Sequence, residues 1–101
     1  MALAARVALA EMDIVVRQAA GGWVCEVGVE RGEERSSHTV SVSESDMRRW
    51  GRGQDEAAVE DLVRRSFDFL LEREPPSSIL PRFDLSVIER YFPDYDQQLK
   101  P

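Results

Sequence analysis

The chain is poor in the residues that most often carry chemistry. Of its 101 residues, Cys25 is the only cysteine and His38 the only histidine. A single thiol excludes an intrachain disulfide and makes a cytoplasmic setting the expectation. One thiol and one imidazole also fall short of the four-ligand set of structural zinc, so neither a metal nor a cofactor is expected. Gly51-Arg52-Gly53 lacks the lysine and the glycine spacing of a phosphate-binding loop. No apolar run approaches the roughly 18 residues of a membrane span. Positive charge is scarce too, with 13 Lys and Arg against 19 Asp and Glu and a net charge of −6. That balance argues against a general nucleic-acid binder, whose affinity rests on neutralising phosphates. Neither an internal repeat nor a low-complexity tract is present.

What the chain does have is one strongly patterned stretch, residues 55–74, DEAAVEDLVRRSFDFLLERE. Val59, Leu62, Val63, Ser66, Phe67 and Leu70 recur with helical spacing, and Phe69 and Leu71 widen that face. Glu60, Asp61, Arg64, Arg65, Asp68 and Glu72 occupy the opposite side. Glu60–Arg64 and Asp61–Arg65 are acidic-first i,i+4 pairs, worth about 0.2–0.5 kcal/mol each. Asp55 or Gln54 can cap the start, and Pro75-Pro76 cannot continue the helix. A helix with so wide an apolar stripe needs the rest of the chain to cover it.

Residues 12–18 are short and β-branched and read as a first strand. Ala19-Ala20-Gly21-Gly22 supplies a turn, because glycine accepts the positive φ of tight hairpins. Residues 23–30 alternate, with Trp23, Cys25, Val27 and Val29 on one face. After the polar turn 31–34, residues 37–42 alternate again, with His38, Val40 and Val42 opposed to Thr39 and Ser41. Ser43 and Asp46 have capping-box spacing ahead of a short helix over 44–50 that Gly51 stops. Ser86 and Glu89 repeat that spacing before a second short helix ended by Pro93. The prediction is an α+β fold: a three-stranded antiparallel meander packed on one long amphipathic helix, with a short C-terminal helix. Residues 12–101 form the single domain. Residues 1–11 read as an N-terminal arm, too short and too interrupted at Arg6 for a signal peptide, with Met12 as an alternative start.

The tail from Ile79 to Tyr95 follows the pattern ILxRFDLxVIxRYFPxY. It resembles the C-terminal half of a family of small bacterial proteins in which a strand-rich front precedes a helix and this tail. That resemblance implies a fold and no activity. Gly21 to Val27, GGWVCEV, is similar to the second strand of HicB-type antitoxins, with the long helix at a comparable place. The Pro-Gly-Cys loop of those antitoxins is absent, with Gly32-Glu33-Glu34 in its place.

Three groups compete as sites. Cys25 and His38 fall on neighbouring strands, a conceivable nucleophile and base, but both alternate with valines on the core face. Arg48, Arg49 and Arg52 surround Trp50, the residue types of a phosphate or single-stranded nucleic-acid contact. The structural reading makes Trp50 a core anchor and pairs the arginines with acids such as Glu44 and Asp46. Tyr91, Phe92 and Tyr95, with Phe83 and Leu85, either complete the core or expose a recognition patch. The expectation is a small non-catalytic interaction or regulatory module, antitoxin-like or adaptor, binding a protein partner or a second copy of itself. Arg48, Arg49, Trp50, Arg52, Tyr91 and Tyr95 are its candidate partner-binding residues. The alternative is a nucleic-acid-associated regulator using Arg48, Trp50 and Arg52.

Overall fold

Alternation decides the first half of the chain. The computed structural model describes residues 10–101 and opens with β1 (Glu11–Ala19), β2 (Gly22–Arg31) and β3 (Glu34–Ser43). β1 and β2 pair antiparallel without a bulge from Glu11↔Glu30 to Ala19↔Gly22, and β2 and β3 from Gly22↔Ser43 to Arg31↔Glu34. Gly21 closes the first hairpin at φ 77°, a conformation that side chains beyond glycine rarely adopt. Gly22 is needed for space instead, since a Cβ there would run into the Val42 carbonyl oxygen. The inward face carries Cys25, Val27, Val29, Val40 and Val42, all buried. Each strand runs one to three residues beyond its expected ends, because ladder pairing extends past the alternating apolar positions.

The helices follow their caps. In α1 (Glu44–Trp50) the Ser43 hydroxyl accepts from the Asp46 N–H at 2.9 Å, and the Asp46 carboxylate accepts from the Ser43 N–H at 2.9 Å. The expected capping box is therefore formed. Asp55 caps α2 (Glu56–Leu71) by accepting from the Ala58 N–H. Glu60–Arg64 and Asp61–Arg65 make their ion pairs at 3.1 and 2.9 Å. α2 ends at Leu71 rather than at Glu74, because the Leu70 carbonyl takes the N–H groups of both Arg73 and Glu74 in a closing turn. Its buried face includes Val59, Leu62, Val63, Ser66, Phe67, Phe69 and Leu70.

The tail departs most from expectation. After a 3-10 turn (Pro76–Ser78), β4 (Arg82–Asp84) joins the sheet parallel to β3. The sheet is thus four-stranded and mixed, in the order β1-β2-β3-β4, rather than a three-stranded meander. The Thr39 N–H donates to the Pro81 carbonyl at 2.8 Å, and the Leu85 N–H to the Ser41 carbonyl at 2.9 Å. The Ser41 hydroxyl also bonds the Asp84 carboxylate. Two short helices follow where one was expected, α3 (Val87–Tyr91) and α4 (Tyr95–Leu99). Ser86 makes no capping bond, because its own backbone is already helical (φ −64°, ψ −14°). Leu85, Ile88, Tyr95 and Leu99 from this tail enter the core.

The fold is α+β, as the sequence predicts, with a larger sheet and more helices. Of the expected arm, residues 1–9 lie outside the described residues, while Glu11 belongs to β1. Among the described residues, no helix is long and apolar enough to cross a membrane.

Candidate functional site

The tail creates a concave surface at one side of the molecule. The last turn of α2 contributes Leu70, the 3-10 turn leads to Ile79 and Leu80, and α3 places Ile88 and Tyr91 opposite them. Between them lies a mostly apolar groove of about 370 Å³. A second hollow of about 600 Å³ adjoins it and shares Leu80, Phe83, Val87 and Tyr91. The floor is firm, since Ile79 and Ile88 are 6% and 3% exposed. The rim is not withdrawn. Leu80 is 46% and Tyr91 68% exposed, two of the three large hydrophobic residues left open among those described. Arg82 and Arg90 line the second hollow, and neither makes an ion pair with a described residue.

The two aromatic candidates on either side of this surface part company. Tyr95 is fully buried, and its hydroxyl donates to Ser66 Oγ at 2.8 Å while Ser66 donates to the Leu62 carbonyl at 2.7 Å. Burial holds its phenol above the ordinary range. Its ring meets Trp50 and Phe69 edge-on at 5.0 and 5.3 Å. Tyr95 is therefore a core residue, as the structural reading of the tail holds, and only Tyr91 of the pair can touch a partner.

Trp50 is buried as well, which corrects its place among the partner-binding candidates. A side chain with no exposed surface cannot stack on a base. Its indole N–H donates to Asp96 Oδ1 at 2.9 Å, and this bond chiefly holds the Asp96 carboxyl below the usual range, with Lys100 and Arg49 adding to it. Arg49 lies over the Trp50 ring at 4.3 Å and pairs with Glu89 and Asp96, both at 3.1 Å. Its acids thus come from the tail, not from Glu44 or Asp46. Arg48 and Arg52 are exposed and make no ion pair with a described residue. The surface that joins Arg48, Trp50 and Arg52 in the sequence reduces to separate arginines around a buried ring. This cluster latches the tail: Asp96, Glu89 and Tyr95 on one side, α1 and α2 on the other.

Cys25 and His38 share the inward face but are not hydrogen-bonded to each other. Burial pushes the Cys25 thiol up to about 11, so it stays protonated near neutrality. His38 Nδ1 lies 2.7 Å from the Leu80 carbonyl and Nε2 2.7 Å from Ser36 Oγ, so both ring nitrogens are occupied. The histidine anchors the segment between the 3-10 turn and β4 at the Leu80 carbonyl. Among the described residues, no group of three or more His, Cys, Asp and Glu is placed to hold a metal ion.

Leu80, Arg82 and Arg90 were not legible as site residues. Leu80 before Pro81 carries no periodic signal, and two arginines eight positions apart carry no shared period. Only the parallel pairing of β4 brings them to one surface. No family model, no curated protein and no solved structure matches this chain.

Proposed function

We propose that the protein is a small non-catalytic interaction module that docks a protein segment carrying bulky apolar side chains flanked by acidic ones. The observation that carries this reading is the pair Leu80 and Tyr91, large, open and facing a groove with a buried apolar floor. Exposed aromatic and aliphatic side chains around a concavity are what interface centres are made of. Arg82 and Arg90 favour an acidic partner, since they outnumber Asp84 along the second hollow and neither makes an ion pair with a described residue. An adaptor or an antitoxin-like inhibitor would use such a groove in this way, and the resemblance of the tail and of Gly21 to Val27 is compatible with either. The nucleic-acid alternative loses its stacking residue with the burial of Trp50.

A displayed random-peptide selection on the full chain tests the reading. Enriched peptides should pair apolar anchors with Asp or Glu, and Tyr91→Ala should weaken them roughly thirtyfold, the effect of an interface anchor. Arg90→Glu should weaken them further at low salt. Peptides that bind the doubly substituted Leu80→Ala, Tyr91→Ala protein as tightly as the parent would refute it, as would an enrichment of basic peptides.

A further inference from the structure

The tail covers one edge of the sheet and leaves the other, β1, with no described partner along its outer side. β1 is nine residues long, contains no proline, and pairs with β2 without a bulge. Such an edge is a ready template for another strand, and natural proteins ordinarily blunt it.

The pattern of backbone bonds says which residues face outward. Thr39 N–H and the Ser41 carbonyl bond the chain of β4, so these two positions of β3 turn away from β2. Their register partners Glu26 and Val24 therefore turn toward β1, opposite Val15 and Arg17. In β1 that leaves Met12, Ile14, Val16 and Gln18 with their N–H and C=O groups directed outward. An incoming strand would bond those four.

Side chains on the open face of β1 then select the strand. Asp13, Val15 and Arg17 lie in a row there, an acid, an exposed valine (56%) and a base. A second copy of β1, laid antiparallel about a two-fold axis at Val15, places Val15 on Val15, Asp13 opposite Arg17 and Arg17 opposite Asp13. The same register sets Ile14 against Val16 on the inward face, both bonded through their outward backbone groups. Met12, Ile14 and Val16 are only half-buried against the core, and the copy would continue that apolar row. Asp13 has no ion pair with a described residue, while Arg17 reaches Glu26 at 2.8 Å and is still 61% exposed. The charges, the exposed valine and the backbone parity all agree on one register.

We infer that the protein forms a two-fold dimer through β1, joining two four-stranded sheets into one continuous sheet with paired Asp13–Arg17 contacts across the axis. This surface is separate from the groove at β4, so the dimer stands or falls independently of the docking reading.

Charge exchange on the full chain tests it. Sedimentation from low micromolar to submillimolar concentration should give a dimer for the parent protein. Asp13→Arg and Arg17→Asp each set like charges opposite one another twice, and each should raise the dissociation constant about tenfold or more. An equimolar mixture of the two variants restores opposite charges at both contacts and should recover a heterodimer of parent affinity. Recovery on mixing separates this role from the bond of Arg17 to Glu26, which mixing leaves broken. Circular dichroism confirms that each variant is folded. A parent protein that stays monomeric throughout, as it would if another segment of the chain occupied this edge, overturns the inference. So do variants that dimerise unchanged, or folded variants that fail to associate on mixing.

Discussion

Replacing Tyr95 in two different ways separates its ring from its hydroxyl. Tyr95→Phe keeps the edge-on contacts with Trp50 and Phe69 and removes only the bond to Ser66. Ser66 still donates to the Leu62 carbonyl, so no donor is orphaned. The loss is that of one buried neutral hydrogen bond, about 0.5–1.5 kcal/mol. Tyr95→Ala also removes the ring from a site with no exposed surface, which puts the cost at about 3–5 kcal/mol, transfer plus cavity. A domain of this size is stable by only about 5–15 kcal/mol, so the alanine variant approaches the limit of folding. Urea titration followed by tryptophan fluorescence reads both, because Trp50 lies 5.0 Å from the altered ring. In thermal melts each kcal/mol corresponds to roughly 4–8 °C. A Tyr95→Ala protein within about 0.5 kcal/mol of the parent, the range of ordinary surface changes, would refute the placement of the tail in the core. Equal effects of the two substitutions would refute the division between ring and hydroxyl.

Three further outcomes follow from the same geometry. Burial raises the Cys25 thiol from its ordinary 9.0 to about 11, so the folded protein holds this proton longer than the unfolded chain. That contribution is fully present below pH 9 and is lost as pH rises toward 11; Cys25→Ala should flatten this alkaline limb of urea midpoints while costing roughly 1 kcal/mol at neutral pH. Asp96 is shifted the other way, chiefly by the Trp50 indole, so its contribution is present above the ordinary carboxylate range and lost as pH falls through its lowered value. Asp96→Asn should therefore shrink the acid-side fall of the thermal midpoint. Ser43→Ala removes the side-chain cap of α1 and should cost about 0.5–2 kcal/mol in chemical denaturation, with a native circular dichroism spectrum.

Residues 12–71 were legible because their signals are local. Cys25, Val27 and Val29 state a strand by period two, Val59 to Leu70 state a helix by period 3.6, and Ser43 with Asp46 states a helix start. In the tail only α3, expected between Ser86 and Pro93, carried a local signal. Arg82-Phe83-Asp84 is too short to alternate, and its pairing with residues 43 positions earlier leaves no trace in its own composition. Ser86 and Glu89 have the spacing of a cap yet form none, because spacing does not fix the backbone angles of the first residue. α4 offered only Tyr95 and Leu99, one turn apart. For the site, Trp50 among arginines reads as an exposed aromatic until its spacing of three from buried Met47 is weighed. Tyr91 was legible as a candidate; the groove it lines was not.

The parallel pairing of β4 with β3 also sets an order of events during synthesis. The hairpins of β1 to β3 need only neighbouring residues and can form while the chain is still growing. Their inward valines, with Cys25 and His38, then have no cover until α2 is made, and the sheet and core are complete only once Leu99 has emerged. At about 5–20 residues per second, the stretch from Ser43 to Leu99 takes roughly 3–11 seconds to translate. The apolar sheet face shows until α2 is made, and the β3 edge stays unpaired until β4 (Arg82–Asp84) reaches it. A chaperone that holds extended apolar chain has its window there, and it closes when Tyr95 swings in behind Trp50.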